Sequence, residues 1–189
     1  MKKFFLRHLI AALCIISAAV ASAATPKYIF YFIGDGMGLA PVMATQTYNR
    51  MVKNNPQALR MMSFPYITWA QTYSASSPVT DSAAAGTALS TGSKTRNGML
   101  GQDADTVNVT SIARQLKDLG YGIGLVTNGS PDDATPAAFY AHVPNRGMFV
   151  EIAKQAAASG YDFIAGGGWR GLKKENNGIY EEFEKQGVV

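Results

Sequence analysis

Cysteine and histidine are nearly missing from this chain. Its 189 residues hold one cysteine, Cys14, and two histidines, His8 and His142. A single cysteine cannot close an intrachain disulfide, so stability must come from a packed core. A hydrolytic zinc site commonly takes three protein ligands drawn from imidazole, thiolate and carboxylate, and so few imidazoles and thiols leave zinc chemistry without its usual donors. Several familiar phosphate and nucleophile motifs are also absent. Thr91-Gly92-Ser93-Lys94-Thr95 suggests a P-loop, but no G-x-x-x-x-G-K-[ST] can be drawn through it. The glycines at Gly34, Gly36 and Gly38 do not have dinucleotide-turn spacing, and no G-x-S-x-G occurs. Internal repeats, long linkers and low-complexity runs are lacking too.

What is present at the start of the chain has the form of an export signal. Lys2, Lys3 and Arg7 make a basic segment, Leu9 to Val20 an apolar one, and Ala21-Ser22-Ala23 a small-x-small cleavage site. A membrane anchor would need about 20 apolar residues without such a site, and a lipoprotein use of Cys14 is disfavoured by Leu13 beside it. Residues 1–23 are therefore expected to direct export to the periplasm or the outside of the cell. No membrane association is expected after removal. Three of the 17 basic residues and none of the 13 acidic ones lie in that segment, leaving 14 against 13. The net charge of +4 is thus largely the signal's and gives no reason to expect a nucleic-acid partner. Cys14 and His8 depart with the signal. Residues 24–189 remain, enough for one domain with its own core.

Beyond the signal, apolar runs alternate with helical patterns. Strands are expected at Lys27 to Gly34, Ile67 to Tyr73, Ile123 to Thr127 and Asp162 to Ala165. Helices are expected at Leu39 to Lys53, Ser82 to Leu89, Ser111 to Leu119 (closed by Gly120) and Phe149 to Ala158. This alternation predicts an α/β fold with a largely parallel central sheet and helices on both faces. In such sheets ligands sit beyond the carboxyl ends of the strands. The polar residues of interest fall there: Asp35 after the first strand, Ser82 opening a helix, and Asp133 and Thr135 after Ile123 to Thr127.

Asp35, flanked by glycines, would aim a carboxylate where a dinucleotide turn needs none, and suits a hard divalent cation instead; a helix-capping aspartate is the bland alternative. Ser82 opens a helix of small residues, Ser82-Ala83-Ala84-Ala85-Gly86, that can lie close to the sheet, with its hydroxyl near free backbone N–H groups and the positive end of the dipole. A plain N-cap is the alternative there. With no histidine nearby, a metal ion would have to activate it. Asp133 and Thr135 offer oxygen ligands ahead of Pro136 at a helix's first position, or Asp133 merely caps that helix. Arg146 could clamp a phosphate through two parallel N–H groups, or lie on the surface. His142 has the bland reading of a buried or supporting histidine, and Glu182 and Glu184 that of a solvated helix face.

In this order and spacing, IGDGMG, VTDSAAAGTALSTGSKTRNGMLG and DDATPAAFYAHVPNR resemble the alkaline phosphatase family from about Lys27 through Gly168. The resemblance implies an alkaline phosphatase-like fold and a zinc- and magnesium-dependent hydrolase of phosphate monoesters. It implies that Ser82 is the nucleophile, forming a phosphoserine, and a ligand of the metal site. Asp35 would bridge a zinc and the magnesium site, Asp133 and Thr135 would serve magnesium, and Arg146, oriented by Asp81, would grip the non-transferred phosphate oxygens. An aspartate at position 133, where some members have histidine, favours magnesium. Most zinc ligands and a magnesium-binding glutamate of the family lie in a C-terminal half that nothing after Gly168 matches. Residues 24–189 are accordingly expected to be the N-terminal portion of the domain, incomplete and inactive alone, and homodimerisation of a full-length form stays open. The rivals are a phosphodiesterase or sulfatase relative, and an inactive fragment with at most weak anion or magnesium binding.

Overall fold

The computed structural model describes residues 26–172 and 178–185, so the expected export signal lies outside the described residues. Residues 1–34 and 35–189 form two compact units. In the first, residues 26–34 take up no strand, and Tyr28 through Phe32 are exposed, Phe32 to 89%. The buried strand expected at Lys27 to Gly34 is not formed. An apolar run becomes a strand only where a neighbouring ladder takes its N–H and C=O groups and a layer covers its faces; exposed side chains show that the covering is missing.

The second unit begins with a turn at Asp35–Gly36, where Gly36 adopts φ +69° and the Gly38 amide donates to the Gly36 carbonyl at 3.0 Å. Helix α1 follows (Leu39–Met51), then one 3₁₀ turn (Arg60–Ser63). The strand expected at Ile67 to Tyr73 is also absent, with Trp69 84% exposed, for the same reason. Helix α2 (Ser82–Thr91) is capped by Asp81, whose carboxylate accepts from the Ala84 amide at 2.9 Å, and it stops at Gly92 in the left-handed region, φ +77°.

Helix α3 (Ile112–Asp118) starts at Ser111, which accepts from the Arg114 amide at 3.2 Å and donates to the Phe139 carbonyl at 2.6 Å. Strand β1 (Gly124–Val126), the short helix α4 (Ala134–Ala137), α5 (Phe149–Ala158), strand β2 (Phe163–Ala165) and α6 (Gly178–Lys185) complete the order. β1 and β2 pair in parallel, Leu125 opposite Ile164, with α4 and α5 in the crossover. The parallel α/β character is as expected. Val126 and Phe163 remain exposed, so among the described residues this two-stranded sheet is only partly covered, the incomplete form expected.

The core sits between the helices rather than on the sheet. Small residues of α2 (Ala83, Ala84, Gly86, Thr87) are buried against α4, not against a strand as the sequence suggested. A Cβ on Gly86 would stand 3.0 Å from that of Ala138. An antiparallel bridge between the buried Leu100 and Val143 closes this layer. On α5, Ile152, Ala153, Ala156 and Ala157 are buried. The four positions recur at the three- and four-residue spacing of one helical face, and burying Ile152 alone contributes about 1.5–3 kcal/mol.

Candidate active site

Two helix N-termini, those of α2 and α4, meet the turn at Asp35, and the residues singled out in the sequence gather there. The Asp35 carboxylate accepts twice: Oδ1 from the Ser82 hydroxyl at 2.9 Å and Oδ2 from the Thr135 hydroxyl at 2.8 Å. Ser82 is the first helical residue of α2, while Asp81 makes the cap. The reading of Ser82 as a plain N-cap is thereby excluded, and its hydroxyl is free to serve Asp35. Thr135 reaches the same carboxylate because α4 begins at Ala134, capped by Asp133 through the Ala134 amide at 2.8 Å. Pro136 stands third in that helix instead of first. This is tolerated because the amides of a helix's first turn have no intrahelical acceptor.

Beside this triad lies a charged network. Arg146 Nη1 donates to Asp81 Oδ2 at 3.3 Å and Nη2 to Asp133 Oδ1 at 3.1 Å. Asp81 also accepts from the Gly98 amide at 3.0 Å, and the Arg146 amide donates to the Gly98 carbonyl at 2.7 Å, so Gly98 ties the arginine's backbone to the aspartate that faces its side chain. Arg170 Nη2 lies 3.2 Å from Asp133 Oδ2. Partial burial pushes the Asp133 carboxyl up, but the Ala134 N–H and the two guanidinium groups outweigh it and hold the carboxyl below its ordinary value. Asp133 therefore meets arginines in this structure, while Asp35, Ser82 and Thr135 meet one another.

A magnesium ion fits the donor chemistry of the triad, which is made only of carboxylate and hydroxyl oxygens. Zinc does not. Among the described residues no group of three or more histidine, cysteine, aspartate and glutamate side chains could hold a metal. His142 has Nδ1 2.7 Å from the Gly101 carbonyl oxygen and its amide on Gln155, a structural placement. Glu184 is exposed on α6.

Arg170 and Asp132 were not foreseen. Asp132 is fully buried and accepts from Ser130, from the Arg170 amide at 3.2 Å and from the Gly171 amide at 2.7 Å. The pair Asp132-Asp133 was the available signal, since two adjacent carboxylates in a short loop need donors from somewhere.

The family described as alkaline phosphatase matches residues 26–166. The chain is 33% identical over 184 residues to alkaline phosphatase 4 of Bacillus subtilis, covering 90% of this chain and 39% of that protein. It is 34% identical over 154 residues to the human tissue-nonspecific isozyme, covering 74% and 29%. Among solved structures it superimposes with a TM-score of 0.76 on alkaline phosphatase from the Antarctic bacterium TAB5, at 33% identity, over 85% of this chain and 46% of that one. A histidine-to-aspartate mutant of the TAB5 enzyme with magnesium bound gives 0.77 at 34% identity, over 86% and 46%. The chain spans less than half the length of each.

Proposed function

The chain belongs to the alkaline phosphatase family, and on that premise we propose that it carries the nucleophile half of an exported phosphate monoester hydrolase acting through a phosphoserine at Ser82. One observation carries the reading: the Ser82 hydroxyl donates to Asp35 at 2.9 Å while the preceding residue, Asp81, holds the Arg146 guanidinium at 3.3 Å. A nucleophile, a cation-seeking carboxylate and an anion-seeking fork thus share one rim. A mere structural cap would need none of the other partners.

In this reading Asp35 and Thr135, with Ser82, would hold magnesium, and Asp133 would join them once Arg146 is drawn to phosphate. Bound there, magnesium would offset charge on the phosphoryl group, and zinc, which Asp35 would share, would lower the Ser82 hydroxyl pKa. Ser82 Oγ gives its proton to water and attacks phosphorus in line, the bond to the leaving alkoxide breaks, the alkoxide takes a proton from water, and the N-terminus of α2 faces the developing negative charge. The hydrogen bond to Asp35 turns the hydroxyl proton away from the attacking lone pair. Arg146 takes two equatorial oxygens, with Asp81 keeping its plane aligned. Attack by water on the phosphoserine releases inorganic phosphate and restores Ser82. Residues 24–189 are then the N-terminal portion of the domain, with the remaining metal ligands, zinc's included, expected beyond residue 189.

The test joins residues 1–189 to the remaining part of the Bacillus subtilis relative and compares monoester, diester and sulfate ester substrates. Preferential monoester turnover, with labelled phosphate trapped at Ser82, is expected. Faster diester or sulfate ester cleavage would replace the reading.

A further inference from the structure

Arg146 has both ends of its fork engaged, Nη1 on Asp81 at 3.3 Å and Nη2 on Asp133 at 3.1 Å. Bidentate recognition of a phosphate takes two parallel N–H groups. A guanidinium has five, but each Nη of Arg146 already faces a carboxylate, so an arriving anion competes with these carboxylates for the fork. Asp81 is the poorer choice, because it also caps α2 and accepts from Gly98. Asp133 is left as the one to let go. A carboxylate losing a charged partner while partly buried is destabilised, unless another cation stays with it.

Arg170 is that cation, and its position is built. Its amide and that of Gly171 both donate to the buried Asp132, which pins the loop after β2 onto the loop after β1. Its guanidinium stands 5.2 Å from the centre of the Phe149 ring, and Nη2 reaches the oxygen of Asp133 that Arg146 does not use. The adjacent aspartates divide the work: Asp132 fixes the arginine's backbone and Asp133 receives its side chain.

We propose that Arg170 is a positioning residue of the anion site, retaining Asp133 while Arg146 turns to phosphate. It acts through Asp133 and does not touch the anion. The inference rests on Arg146 as the phosphate clamp. Arg170 is 52% exposed and Asp133 33%, so water replaces part of what its removal takes away, and the effect is moderate.

The experiment titrates inorganic phosphate into the 189-residue chain with magnesium present, by calorimetry, for the unaltered chain, Arg170→Ala, Arg170→Lys, Asp133→Ala and the Arg170→Ala/Asp133→Ala pair. Arg170→Ala is expected to weaken phosphate binding about three- to tenfold, and Arg170→Lys, which keeps the charge, to recover part of it. In the Asp133→Ala background, where Arg146 has no carboxylate to abandon, Arg170→Ala should add no loss. Arg170→Gln repeats the comparison if the alanine variant unfolds. Unchanged affinity in Arg170→Ala overturns the inference, and an equal loss with and without Asp133 overturns it in favour of direct contact with the anion. No phosphate affinity in the unaltered chain overturns the Arg146 reading itself, and the role of Arg170 with it.

Discussion

The Ser82 hydroxyl donates to Asp35 Oδ1 at 2.9 Å across 47 residues of sequence. If Ser82 is the phosphorylated group, Ser82→Ala in the extended chimera should abolish the trapped phosphoenzyme and leave magnesium retention nearly unchanged, since Thr135 and Asp35 keep their mutual contact. Labelled phosphate still captured at low pH by the alanine variant would assign the nucleophile elsewhere.

Among the described residues Asp35 is the acceptor that the Ser82 and Thr135 hydroxyls share. Asp35→Asn keeps the shape and removes the charge that a divalent cation needs most. Magnesium remaining after dialysis, measured by elemental analysis, should drop to background. Retention equal to that of the unaltered chain would place the cation at another set of oxygens.

Arg146→Ala should weaken binding of inorganic phosphate and of a monoester alike, by roughly 1–3 kcal/mol for a lost charge-assisted pair. The side chain is 34% exposed, which favours the lower end of that range. Phosphate inhibition that does not change would reduce Arg146 to a structural partner of Asp81.

Local pattern made the helices legible and left the strands half visible. Phe149–Ala158 falls where its apolar spacing put it, and Leu39–Met51 ends two residues before the expected Lys53. Each helix satisfies its own backbone, so its residues suffice to announce it. Tyr28 to Phe32 and Ile67 to Tyr73 have strand composition, but a strand is made by its neighbours, and no pattern within a run names them. At the site, Asp35, Ser82, Asp133 and Thr135 stood out through glycines, small residues and a proline. Which carboxylate meets which partner depends on contacts spanning 13 to 100 residues, from Arg146 with Asp133 to Thr135 with Asp35. Arg170 follows Gly166-Gly167-Gly168-Trp169 and precedes Lys173 and Lys174, so nothing in its neighbourhood set it apart from the other cations.

Stability should carry an acid signature from Asp162, outside the site. The Lys117 ammonium first, at 2.8 Å, and then the Ile123 amide at 2.7 Å hold this carboxyl below its ordinary value. A carboxyl lowered in the folded state stabilises above its unfolded value, about 3.9, and loses that contribution as pH falls through the lower folded value. Asp162→Asn should therefore melt lower than the unaltered chain near neutrality, with the gap closing under strong acid. A gap that is constant with pH would show that the amide bond alone matters.

Zinc supplied to the 189-residue chain should produce no Ser82-dependent turnover of a chromogenic monoester. A hydrolytic zinc site takes about three protein ligands and keeps one position open, with nitrogen and sulfur preferred. Among the described residues the sole imidazole, His142, lies against the Gly101 carbonyl, and no three candidate ligands come together. Asp35 and Thr135 offer oxygens, which suit magnesium, and magnesium is the weaker Lewis acid toward a serine hydroxyl at neutral pH. Asp133 has both of its oxygens on arginines. Ser82 is then present, oriented and without the charge needed to ionise it. The assay compares the chain with and without zinc, using Ser82→Ala as the control. Turnover that appears with zinc and disappears in the alanine variant would mean that this chain, alone or paired with a second copy, assembles ligands that the described residues do not bring together.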